Sequence, residues 1–139
     1  PSLSASIFNL TDSIAEQNTR KSLKTLHTLN DSGEDPIRTF FMNVRHFRIL
    51  IQVKSLSNKP QKEIASILKL HPFVIKKSIQ QCNNFDTKTL HKIYENLLEI
   101  DKNFKSGIIK SFGTNNKEYQ LAIEKLIINC CSNNPMLKS

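Results

Sequence analysis

Apolar residues recur at three- and four-residue intervals through almost all of this 139-residue chain, a spacing that points to helices throughout. Ile7, Leu10 and Ile14 mark a first helix, and Asn18 is placed to cap a second that carries Leu23, Leu26 and Leu29. The stretch "NDSGEDP" then interrupts: Gly33 suits a helix end, Asp35 an N-cap and Pro36 a first helical turn. A long third helix follows, with Ile37, Phe40, Phe41, Val44, Phe47, Leu50 and Ile51 as one apolar stripe and Arg38, Arg45 and Arg48 beside it. Two short helices are expected near 60–69 and 72–82. Asp86 should cap a sixth carrying Leu90, Ile93, Leu97, Ile100 and Phe104, with Gly107 just past its end. After the loop "IIKSFGTNN", Tyr119, Ile123, Leu126, Ile127 and Cys130 outline a seventh helix, and residues 132–139 read as a frayed tail. The expected architecture is an all-α fold of seven helices in one compact domain spanning 1–139.

Composition narrows the function. Three glycines leave little room for β-turns or a phosphate-cradling loop, and GxxxxGK[ST], GxSxG and HExxH do not occur. Neither catalysis nor ATP binding is expected, and no cofactor. The four histidines stand on separate segments and read as surface or packing residues rather than metal ligands. Cys82, Cys130 and Cys131, an odd set with two adjacent, do not form a disulfide framework and suit a reducing compartment. No apolar run approaches the length of a membrane span, so no membrane partner is expected. A chain opening at Pro1, with no apolar leader, is expected to be a processed product or a fragment. The net charge of +8 makes an anionic partner plausible.

Half of that charge lies in one place. Residues 59–83 hold five lysines and one glutamate around "PQKEIASILKLHPFVIKKSI", which has the outline of a helix-turn-helix. Ile64, Ala65, Leu68, Leu70 and Ile75 fall where such a hairpin buries its residues, and Lys69 stands where the turn often has glycine. A DNA reader, however, offers Arg, Asn, Gln, Ser or Thr from the first turns of its second helix. Here those turns are "HPFVIKK". A helical hairpin is also a common packing unit.

Three further segments give the hairpin a context: "FFMNVRHFRILIQVKSL", then "EIASILKLHPFVIKKSIQQCNNF", then "LHKIYENLLEIDKNFKSG" with "YQLAIEKLI" after it. In this order the chain, over roughly 4–131, resembles the C-terminal part of the delta subunit of bacterial DNA polymerase III. The resemblance implies the helical collar domain of a clamp-loader subunit, an assembly module of the AAA+ pentamer that places the sliding clamp on primed DNA in the bacterial cytoplasm. Its implied partners are the gamma/tau and delta-prime collar domains, with primed DNA met through the full complex. The sliding clamp would be bound only by an N-terminal AAA+-like region that this chain lacks. The loop 108–118 matches the family loosely, and the tail after Cys131 does not match. The alternative reading is a helix-turn-helix-like nucleic-acid-binding protein using 60–82.

On either reading certain residues stand out. Phe40, Phe41, Val44, Phe47 and Ile51 are expected in the core. Arg38, Arg45 and Arg48 form either a solvated face or a subunit contact, where arginine is enriched. His71 should cap the second hairpin helix, and Leu70, Phe73 and Ile75 should be buried against the third helix. Lys76 and Lys77 should be exposed, as surface cations or phosphate contacts. Phe112, in the loop near Lys105 and Lys110, either packs on the last helix or stacks on an unpaired base, with Lys110 as a further DNA-contact candidate. Cys130 is expected in the core, with Cys131 a bystander beside it.

Overall fold

The computed structural model describes residues 2–107 and 117–131, and among them all regular structure is helical. In chain order the helices are α1 (Leu3–Ala15), α2 (Thr19–Asp31), α3 (Pro36–Ser55), α4 (Gln61–Leu68), α5 (Pro72–Cys82), α6 (Thr87–Lys105) and α7 (Lys117–Cys131). Their starts follow the sequence signals. The side chains of Asn18, Asp35 and Asp86 accept hydrogen bonds from the backbone N–H of Lys21, Ile37 and Thr89, which occupies donors that the first helical turn leaves open. Pro36 and Pro72 each open a helix, where a missing N–H does no harm.

The reversal between α1 and α2 takes only three residues. Gln17 adopts a left-handed φ of 57°, its N–H bonds Ile14 O, and Asn18 N–H reaches back to Ser13 O. This pair of bonds closes the end of α1 without a glycine.

α3 is the central element. It packs most extensively against α5 and α6 and also meets α1 and α7, while α2 closes on α1 and α7. Phe40, Phe47, Leu50 and Val53 of α3 are almost fully buried among Leu10, Leu26, Ile64, Ile75, Leu90 and Ile127. The Phe85 ring meets Phe47 edge-on at 6.0 Å, and the Lys54 ammonium donates to the carbonyls of Cys82 and Phe85, closing the end of α5.

Expectations about burial on α3 and α7 need correction. Phe41 is 40 % exposed rather than core, because it sits about 100° round the helix from Phe40 and off the line of Val44 and Phe47. Ile51 is only half-buried at the edge of the core. Of the two vicinal cysteines it is Cys131 that is fully enclosed, its sulfur 3.6 Å from Ser22 Oγ, while Cys130 packs half-buried against the core. Helical spacing allows either, since Cys130 lies four residues after Leu126 and Cys131 four after Ile127. The contact between α2 and α7 selects Cys131.

Candidate subunit and nucleic-acid interfaces

Two surfaces carry the residues that the sequence singles out. The first is the hairpin of α4 and α5. Lys69 ends α4 in a left-handed conformation (φ 56°, ψ 44°), and Leu70 N–H returns to Ala65 O. His71 then caps α5 as expected, its Nδ1 accepting from Phe73 N–H at 3.0 Å. Ile64, Ala65 and Ile75 close the inner side of the hairpin, and Leu70 packs half-buried against the core.

Phe73 does not join them. Its side chain is 59 % exposed, and Ile67 on α4 is exposed as well. The core-facing positions of α5 are Ile75, Ser78, Gln81 and Cys82. Phe73 lies two residues before Ile75, about 200° round a helix, and therefore on the opposite side. The expected burial of Phe73 against α3 is absent.

What holds Phe73 is a cation. The Lys77 ammonium sits 5.2 Å from the Phe73 ring centroid and 5.2 Å from that of Phe8 on α1. Such contacts favour a defined ring position at an exposed site. Lys76 and Lys77 are both exposed, as expected. The hairpin tip thus presents an exposed phenyl ring beside lysines, a combination able to stack on a base while neutralising phosphate.

A buried polar node ties this surface to the domain. Gln81 on α5 bonds His46 on α3, the Phe8 carbonyl at 3.0 Å and the Asp12 carboxylate at 2.6 Å. The His46 ring also meets Phe8 edge-on, with 4.4 Å between centroids. Sequence reasoning missed this node. An isolated His among the apolar residues of α3 was the available signal, but its partners come from two other helices.

The second surface is the outer stripe of α3. Arg38, Phe41, Arg45 and Arg48 follow at three- and four-residue intervals and are all exposed, so they lie together on one side of the helix. Arg38 is 3.7 Å from Glu34, and Arg45 and Arg48 have no ion pair among the described residues. Lys110 and Phe112 lie outside the described residues. Among those described, no cluster of three His, Cys, Asp or Glu is arranged to hold a metal ion, and no helix is long and apolar enough to cross a membrane.

Comparison with known proteins places this geometry. Residues 4–130 match the family model for the DNA polymerase III delta subunit, C-terminal domain. The chain is similar to the DNA polymerase III subunit delta of Bacillus subtilis (strain 168), with 30% identity over 135 residues, covering 96% of this chain and 37% of that protein. Its fold is similar to that of the solved Bacillus subtilis DNA clamp loader delta protein (YqeN), with a TM-score of 0.80 and 30% identity, over 94% of this chain and 37% of the other. The chain thus spans little more than a third of the length of these relatives. With a match from residue 4 to residue 130 and the same helical fold, the chain belongs to the DNA polymerase III delta subunit family, in its C-terminal domain.

Proposed function

We propose that the 139 residues form a single collar domain, a non-catalytic assembly module that holds a delta subunit in the pentameric clamp loader of the bacterial cytoplasm. The observation that carries this reading is the match along nearly the whole chain to a family defined by that subunit's C-terminal domain. Its partners on this reading are the gamma/tau and delta-prime collar domains. The sliding clamp would be engaged by a region outside this sequence. Arg38, Arg45 and Arg48 are the candidate subunit contacts, and Lys76, Lys77 and Lys110 with Phe112 the candidate contacts to primed DNA.

Phe73 strengthens the nucleic-acid part of this reading. Its exposure beside Lys76 and Lys77 suits a single-stranded or junction segment met through the assembled loader. Sequence-specific duplex reading is not favoured, because the first turns of α5 offer no Arg, Asn, Gln, Ser or Thr to base edges. The decisive experiment is sedimentation of the chain with the purified remaining loader subunits at micromolar concentration. A complex is expected, and persistent absence of one with all partners folded would defeat the assignment.

A further inference from the structure

The chain's basic side chains are unevenly chosen. Of the 20, only four are arginines, and three of these four, Arg38, Arg45 and Arg48, stand on the one exposed stripe of α3. Lysine serves almost everywhere else. Lysine would serve a solvated face equally well, whereas the planar guanidinium forms paired hydrogen bonds with a carboxylate and is enriched where proteins meet.

The same stripe presents a phenyl ring. Phe41 stands between Arg38 and Arg45, and its ring rests edge-on against the fully buried Phe40 with centroids 5.4 Å apart. An exposed aromatic fixed in this way loses little freedom on binding. Arg45 and Arg48 lack ion pairs among the described residues, and the segments 108–116 and 132–139 contain no Asp or Glu.

We infer that Phe41, Arg45 and Arg48 form a docking surface for a second protein, whose acidic helical face offers carboxylates to the two guanidinium groups around an apolar recess for the Phe41 ring. This rests on the collar reading and deepens it by naming the surface and the chemistry of the partner. Nucleic acid fits the stripe less well. The guanidinium can fork onto a phosphate as well as a carboxylate, so the phenyl ring makes the difference: a duplex backbone offers no recess for it.

The test uses the chain with the purified remaining clamp-loader subunits, comparing wild type with Phe41→Ala, Arg45→Glu/Arg48→Glu and Arg45→Lys/Arg48→Lys. Lys88→Glu/Lys102→Glu on α6 serves as a control of equal charge change, and circular dichroism verifies that each variant is folded. The double glutamate variant should weaken association by about tenfold or more, and Phe41→Ala by roughly tenfold, as for buried interface anchors. The double lysine variant should lose at least about threefold, since it keeps the charge but not the paired hydrogen bonds, while the control stays within about twofold. If wild type assembles and all the stripe variants assemble equally well, the inference fails and the collar reading stands. If the stripe variants assemble normally but the loader loses affinity for primed DNA, the stripe is a phosphate contact and the inference is overturned. If wild type itself does not assemble, the collar reading fails and takes the inference with it.

Discussion

His46 on α3 donates its ring Nε2–H to the side-chain oxygen of Gln81 on α5, and the Gln81 amide donates onward to α1. The imidazole is buried, and burial holds its pKa below the usual 6.5 despite the opposing pull of the Gln81 bond and of Asp12, with Arg45 adding to the depression. The folded state therefore favours neutral His46, and the unfolded chain binds the extra proton as pH falls. Stability from this group is complete above the ordinary value of 6.5 and declines as pH drops below it towards the depressed value. Thermal unfolding followed from about pH 7.5 to about pH 5 should show this decline. In His46→Gln the decline over that window should be smaller; an unchanged slope would show that His46 is not its source.

Phe73 and Ile75 should separate packing from recognition. Ile75 is fully buried, so Ile75→Ala should destabilise the chain by about 2–5 kcal/mol. Phe73→Ala removes an exposed ring and its contact with Lys77, which should cost no more than about 1 kcal/mol. Denaturant titration of the two variants checks the pair. On the proposed collar reading, a loader carrying Phe73→Ala should bind primed DNA more weakly than wild type while assembling normally.

Ser78 lies on the inner face of α5, fully buried, and its hydroxyl has no hydrogen-bond partner among the described residues. Removing an unsatisfied hydroxyl relieves its desolvation penalty, so Ser78→Ala should be neutral or stabilising by up to about 1 kcal/mol. A larger side chain meets packed neighbours, and Ser78→Leu should cost about 1–3 kcal/mol. Chemical denaturation would reveal the opposite signs.

The thiols should be silent in the native state. Cys82 and Cys131 are buried, and burial raises the Cys130 pKa to about 12, with Cys131 beside it adding to the rise. A thiolate is the reactive species, and almost none is present near neutral pH under those conditions. A thiol-specific chromogenic reagent should label the folded chain slowly and all three cysteines rapidly once denaturant unfolds it. Prompt labelling of one cysteine in the native chain would contradict this.

Local signals were enough for the helices themselves. Asn18, Asp35 and Asp86 cap where short polar side chains can reach the next turn, and Pro36, Pro72 and the apolar spacing of α3 and α6 act within a few residues. The ordered segments from "FFMNVRHFRILIQVKSL" onward also carried the family, since they preserve a pattern of neighbours along the chain. The sequence could not decide which side of each helix meets a neighbour when two apolar sides are available. Phe41 and Phe73 read as core because phenyl rings usually are, yet α3 and α5 turn Phe40 and Ile75 inward and leave Phe41 and Phe73 in solvent. Cys130 and Cys131 were equivalent by spacing until α2 packed on α7, and His46 gained its partners only when α1 and α5 closed on α3. Periodicity is a property of one helix, whereas burial is settled between helices, and the surfaces proposed for binding are what that packing leaves outside.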